Sequence, residues 1–523
     1  MLKLLPVYTC VFLAALIVSL PVNISAQTGG QQLSPETAVD RLSYSYGWQT
    51  GAGAGTSGEL PFWIYSNRYG QIDRQSANGL FSLFGLGEYD LGSGFSAAVK
   101  ADLLFRTSDR SNIHFNEGFV QLSYGYFELW AGRKREQFGL IHPTLSTGSM
   151  DLSENARPIP QIVFATRGFM PVPYTDGILH FDASLGHGWQ TDRSDRFVDG
   201  LVRIHRKHLY LRIFDENAPL VLHGGLKHFA QWGGTSQLHG SSPVNFRSFL
   251  DVFFSRAADS NEIIGGGQLL NSAQNHIGTY DFAIKVNTER YIFSLSRQFI
   301  LEDTPNARFG TPWDGMWGAT ISLREPGLPR SWKSAGSNPR PAAGAQGSRL
   351  HQSRSGSGFR PLLQTIHYEY IDLKEGMSRF PQRARDEYFN YYNHWAYRGG
   401  WTYFGQSLGN PLLLTDPLYL GVVNNEIIAH HLGLEGFWGA FDWRFLSTYS
   451  RNYGANRASR RTNPTGRENL LTERRDQWSF LLDVGTKQFF KNTEARISFG
   501  FDTGEVHPQN FGTLLTLRWT AGS

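Results

Sequence analysis

The sequence predicts an all-β protein, a large antiparallel transmembrane β-barrel, and three observations carry that expectation. An apolar leader opens the 523-residue chain, apolar and polar residues alternate through most of the rest, and aromatic residues make up 14% of a chain whose mean hydropathy is −0.34. Alternation sends one side chain to lipid and the next to an aqueous interior, so a wall that is apolar outside averages to a polar composition. Only helices and closed barrels satisfy their own backbone in lipid. No stretch after the leader approaches the roughly 18 apolar residues that a helical span needs.

The leader, residues 1–26, runs MLKLLPVYTCVFLAALIVSLPVNISA: one lysine, an apolar core and a small-residue junction at Ser25 and Ala26. It reads as a cleaved signal peptide, with 27–523 as a single barrel domain. A membrane anchor is the other reading, and Pro21 and the polar turn after Gln27 count against it. The only cysteine, Cys10, lies in the leader, so disulfides and cysteine metal sites are excluded from the exported chain. No metal site and no cofactor is expected.

Strands follow in order. AAVKADLLFR (97–106), FVQLSYGYFELWAG (119–132), ILHFDASLG (178–186) and HLYLRIF (208–214) alternate with period two. YDFAIKVNTERYIFSLSRQF (280–299) reads as two strands joined by a tight turn at Asn287 to Glu289, and TEARISFGFDTGEV with FGTLLTLRW (511–519) as a closing pair. The pattern supports between sixteen and twenty strands, on the order of what large outer-membrane barrels use. A secreted sandwich array or propeller is the alternative, but no repeat of fixed period is present. Aromatic residues gather near strand ends, as in YFELW, GFWGAFDW and TLRW, where interfacial girdles place them.

Three long inserts interrupt the strands, near 134–176, 324–361 and 450–475. The second has six arginines and one lysine against Glu325, and the third has seven arginines against Glu468 and Glu473, in a chain of net charge only +4. Arginine forks suit carboxylates and phosphates. Arg330, Lys333, Arg340, Arg457, Arg460 and Arg461 are therefore candidate collectors of an anionic polymer outside the cell, with loop solvation or pairing to lipopolysaccharide phosphates as the other reading.

A fourth segment, RDEYFNYYNHWAYRGGWTYFGQSLGNPLL (385–413), is aromatic. Flat rings cover the C–H face of a sugar while planar polar groups bind hydroxyls, which makes Asn393, Trp395, Tyr397, Arg398, Trp401 and Tyr403 candidate glycan-binding residues. A girdle with its flanking loop is the other reading. Catalysis finds little support. GQSLG (405–409) matches a nucleophile-elbow pattern, but Asn410-Pro411 blocks the helix an elbow requires. His430 and His431 are adjacent on a strand and point to opposite faces, and His205 and His208 flank a basic turn with no third ligand beside them.

WAGRKREQFGLIHPTLSTGSMDLSENARPIPQI (130–162) and YRGGWTYFGQSLGNPL (397–412) resemble the capsule assembly Wzi family of outer-membrane proteins. That resemblance implies a barrel of about eighteen strands closed by inward-folded elements. It also implies a lectin that holds capsular polysaccharide at the surface of a Gram-negative cell. A barrel of that size has a lumen wall side chains cannot fill. The first block is thus a candidate lumen plug: Pro143, Pro158 and Pro160 restrict its backbone, and Ser146, Thr147, Ser149, Ser153, Asn155 and Arg157 can satisfy a polar wall. Residues 27–63 are a second candidate. The expectation is a non-enzymatic monomer whose partners are surface polysaccharide, outer-membrane lipid and lipopolysaccharide, and not nucleic acid. A sugar- or oligosaccharide-selective porin is the alternative.

Overall fold

Eighteen strands close into one antiparallel barrel in the computed structural model. It describes residues 41–522 apart from 109–110, 193–197, 237–239, 257–273, 303–308, 325–359, 375–390, 395, 416–420 and 455–472. The first nine strands are β1 (Leu42–Glu59), β2 (Gln75–Gly92), β3 (Phe95–Thr107), β4 (Asn112–Tyr124), β5 (Phe127–Arg133), β6 (Gln161–Thr166), β7 (Leu179–Gln190), β8 (Val202–Ile213) and β9 (Leu220–Trp232). The rest are β10 (Asn275–Asn287), β11 (Tyr291–Leu301), β12 (Gly315–Leu323), β13 (Thr365–Asp372), β14 (Ile427–Trp438), β15 (Phe441–Asn452), β16 (Arg475–Phe490), β17 (Thr493–Gly504) and β18 (Asn510–Gly522). Each strand pairs with its neighbours in sequence, and β18 pairs back onto β1 from Ser45 opposite Gly522 to Gly55 opposite Gly512. Closure pairs the first strand with the last, so the barrel has no free terminal strand. The leader lies outside the described residues.

Alternation is visible in burial. On β9 Leu226 faces out, 37% exposed, while its neighbour Lys227 is fully buried in the lumen. Outward aromatic residues form two belts. Tyr46 packs on Trp519, Phe95 on Tyr124 and Phe127 on Phe164 near one end, and Tyr280 on Phe309 and Tyr449 on Trp478 near the other. Two girdles bracketing an apolar band mark the lipid boundary.

The strand order sorts the connections between the two ends. At one end lie the barrel's first and last strand ends and the tight links 93–94, 125–126, 288–290, 439–440 and 491–492. Longer connections at the opposite end, which we term the mouth, include 60–74, 134–160, 233–274 and 373–426. One long connection breaks the rule: Arg324, which follows β12, donates its backbone N–H to Arg290 O at 2.8 Å, beside a tight turn.

Several boundaries differ from expectation. Much of 27–63 is not a plug candidate, because β1 is barrel wall; its GAGAGTSG stretch lacks the large apolar residues that make alternation legible. The insert expected over 134–176 ends at Pro160, where six-residue β6 begins, too short for its period to register beside Pro158 and Pro160. His205 and His208 do not flank a turn, since β8 runs unbroken through both.

Candidate functional site

Strands β5 and β6 stop short of the mouth, and the chain between them turns inward. The register of β4 with β5 begins only at Gly118 opposite Arg133, so 112–117 of β4 have no β5 partner and the wall is notched there. Gly132 makes the exit possible: its φ is +130, and a Cβ would collide with the Gly118 carbonyl.

Inside, segment 134–160 is fixed to inward-facing wall residues. Lys227 reaches Asp151 at 2.7 Å, both groups fully buried, with Asp281 at 3.5 Å. Arg206 binds Glu136, with NH2 to Oε1 at 2.9 Å, and Arg135 reaches Asp102 at 3.2 Å. Thr147 donates its backbone N–H and hydroxyl to Glu369 Oε2 at 2.8 and 2.6 Å. Ser149 Oγ donates to Asp151 Oδ1 at 2.7 Å and accepts from Gln298 Nε2 at 3.1 Å. Ser146 Oγ accepts the Gly148 N–H at 3.0 Å. The link from β1 to β2 enters the lumen too, in the short helix α1 (Phe62–Tyr65), which buries Phe62, Trp63 and Ile64.

The two sequence blocks singled out above interlock here. Trp401 Nε1 donates to Asp151 O, Ser153 Oγ to Gly409 O at 2.6 Å, Asn155 Nδ2 to Ser407 O at 3.0 Å, and Asn410 Nδ2 to Gly148 O at 2.9 Å. Phe138, Leu145, Met150, Ile159, Tyr392, Trp401 and Leu408 share one apolar cluster with wall residues such as Phe229 and Leu446. At Gly70, φ +63, a Cβ would stand 2.7 Å from both Arg157 Cγ and Gln406 Oε1, so the three inserts close on a glycine.

Trp401 is 1% exposed, Tyr403 is fully covered and Tyr397 is 5% exposed, so none of these rings lies open to a sugar. Tyr397 donates its hydroxyl to Gly233 O at 2.9 Å, and Asn393 brackets the Val422 backbone at 2.8 and 2.9 Å. Arg398 is partly exposed. Trp395, Arg330, Lys333, Arg340, Arg457, Arg460 and Arg461 lie outside the described residues. Arg324 is beside a tight turn, whereas Gly454 accepts the Asn425 N–H at 3.1 Å at the mouth. The described residues that flank the two basic inserts therefore stand at opposite ends of the barrel.

What is open at the mouth is a cationic cluster beside the notch. Arg133 NH1 donates to Pro158 O at 2.7 Å and Tyr403 Oη at 3.1 Å, and NH2 to Thr191 Oγ1 at 2.9 Å. Among the described residues its partners are all neutral oxygens. Arg157 lies 4.5 Å over the half-exposed Phe404 ring. Arg106 stands behind them, buried, bonded to Gly70 O at 3.2 Å and 3.7 Å from Asp73. Sequence reading missed Arg133 and Thr191; Phe404 lies in the aromatic segment it singled out. The available signal was Arg133 at the point where strand alternation ends.

Deeper, a cavity of about 150 Å³ is lined by Trp63, Arg68, His142, Glu154 and Arg444. Burial pushes the Glu154 carboxyl up to about 7 and the His142 imidazole down to about 3. Ser407 is buried, and among the described residues its hydroxyl has no hydrogen-bond partner.

A family model described as capsule assembly protein Wzi matches residues 63–333. Among solved structures, Wzi of Escherichia coli, described as an outer membrane protein involved in group 1 capsule assembly and a carbohydrate-binding β-barrel, aligns with a TM-score of 0.53. The identity is 12%, over 92% of this chain and 85% of that one. OprD of Pseudomonas aeruginosa aligns at 0.43 with 7% identity over 92% and 94%, and OccD3 of the same organism at 0.43 with 8% over 92% and 91%. No curated protein sequence matches the chain.

Proposed function

The chain belongs to the capsule assembly protein Wzi family, an outer-membrane β-barrel with a role in capsule assembly, and on that premise we propose that it retains capsule by binding surface polysaccharide at the notched mouth. The observation that carries this reading is Arg133. Among the described residues its three hydrogen bonds all go to neutral oxygens, leaving two of a guanidinium's five N–H donors for a ligand carboxylate or paired hydroxyls. The Arg157–Phe404 stack offers a flat face beside it, and Thr191 adds a hydroxyl. The interlocked inserts keep these groups fixed, as a binding site requires, and close the lumen. Binding, with no bond made or broken, is then the whole activity.

A sugar-selective porin remains the second reading, and the ion pairs that fasten 134–160 across the lumen count against it. The test is surface-retained against released capsule in cells complemented with Arg133→Gln/Arg157→Gln, with heat-modifiable gel mobility as a folding control. Capsule should shift to the medium while the barrel folds. Unchanged retention in the folded variant would remove the mouth site.

A further inference from the structure

The outer wall of β7 to β10 carries groups that a lipid-facing surface does not ordinarily hold. His187 stands opposite His205, and Ala230 stands opposite both His205 and His276, so three imidazoles share one cross-strand row; His228 lies two residues along β9 from Ala230. Arg203 and Lys207 flank His205 on the same face of β8. Arg203 sits 5.5 Å from the Trp232 ring and donates to Leu201 O at 3.2 Å; Lys207 Nζ donates to Phe253 O. Among the described residues neither cation meets a carboxylate. Charge on a wall facing hydrocarbon is costly unless it reaches a counter-ion or the headgroup layer.

The connection from β9 to β10 folds back over this face as helix α2 (Phe246–Phe253), whose N-cap Asn245 accepts the Ser248 N–H at 2.9 Å. Phe249 packs 5.7 Å from the His205 ring and Val252 is buried. The far side of the segment does the opposite: Phe246 and Phe254 are 75% and 57% exposed, with Arg247 and Arg256 exposed beside them. Asp251 is the acidic group of the helix, 3.8 Å from Arg256. The patch lies in the mouth half of the barrel, and Tyr280 of the aromatic belt follows His276 by four residues on the same strand face. That is the level of the outer-leaflet headgroups.

We propose that this face binds the phosphorylated headgroup of an outer-leaflet glycolipid, with Arg203, Lys207, Arg247 and Arg256 meeting its phosphates and Phe246 and Phe254 lying among its acyl chains. Cations supply what phosphates need, and the exposed rings stand where acyl chains begin. The lipid would pin α2 against the wall and fix how the mouth sits at the membrane surface. This site is separate from the polysaccharide site, which is built on Arg133 at the end of β5 and on the inserted segments.

The test uses the full-length barrel in detergent, with native mass spectrometry reading bound lipid. Probes are lipid A carrying two phosphates, the same lipid A dephosphorylated, and inorganic phosphate. The phosphorylated lipid should occupy the barrel at least about tenfold more than the dephosphorylated one, without displacement by inorganic phosphate. Arg203→Gln/Lys207→Gln should abolish that preference. Arg247→Gln/Arg256→Gln, on exposed positions, should reduce it about threefold or more and decides the matter if the first variant fails to fold. Equal occupancy by dephosphorylated lipid A, displacement by inorganic phosphate, or undiminished preference in the folded variants would overturn the site.

Discussion

Lys227→Met keeps most of the side chain's length and removes its charge from the centre of the lumen. The ammonium contacts Asp151 at 2.7 Å and Asp281 at 3.5 Å, all three groups fully buried. Breaking a buried pair costs about 3–5 kcal/mol because a charge is left uncompensated. Thr279 and Leu152 N–H still donate to Asp151, and Tyr210 and Gln298 to Asp281, which places the cost near the lower end. About 3 kcal/mol is on the order of a hundredfold in an equilibrium. The cost falls on docking of 134–160 and not on the wall, since the β9 ladders to β8 and β10 do not involve the side chain. In planar bilayers the folded variant should show frequent open events that the wild type lacks, and trypsin should cleave within 134–160. Removing both charges with Lys227→Met/Asp151→Leu should recover part of the closed state. A folded Lys227→Met barrel with wild-type conductance and protease resistance would refute the reasoning.

Trp401→Ala should cost about 3–5 kcal/mol of insert stability through lost burial and the bond to Asp151 O, and Trp401→Phe much less; unchanged thermal release of the insert with lost glycan binding would instead make Trp401 an open platform. Glu154, raised to about 7, favours its neutral form in the docked insert, so its stabilising contribution is full below about 4.5 and fades as pH rises through 7. His142, lowered to about 3, acts in the opposite sense below about 6.5, so the measurement is wild type against Glu154→Gln; proteolysis of the insert should rise from pH 5 to 8 more steeply in the wild type, and parallel profiles would contradict it. Neutralising Arg457, Arg460 and Arg461 should weaken capsule retention and its salt dependence, screened over about 10 Å at 0.1 M. Neutralising Arg330, Lys333 and Arg340, whose segment is anchored at the opposite end, should leave both unchanged, and equal effects would place both loops at one polymer.

Much of the wall was legible because period two survives wherever a strand carries large apolar residues, as in β3 and β8. It fails in β1, where glycine and alanine replace them, and in β6, which is six residues long. The inward insert was legible as a polar, proline-restricted stretch with no alternation. Its fastening was not, because Lys227, Arg206, Gln298 and Glu369 look like ordinary polar positions of an alternating strand, and only closure brings them to Asp151, Glu136, Ser149 and Thr147. The aromatic segment misled for a related reason: composition cannot tell an open ring from one packed inside a lumen. Sequence reading left open which loops face outside; strand parity sorts them between the two ends, and parity needs every strand counted.

The most direct measurement is equilibrium binding of the purified barrel to the capsular polysaccharide of its own strain, compared with the Arg133→Gln/Arg157→Gln variant and with a neutral dextran. Wild type should bind the capsule with an affinity that falls as salt rises, the variant should lose on the order of 1–3 kcal/mol, and dextran should bind weakly to both. Capsule binding of equal strength and salt dependence in wild type and the folded variant would contradict a polysaccharide site at the notched mouth.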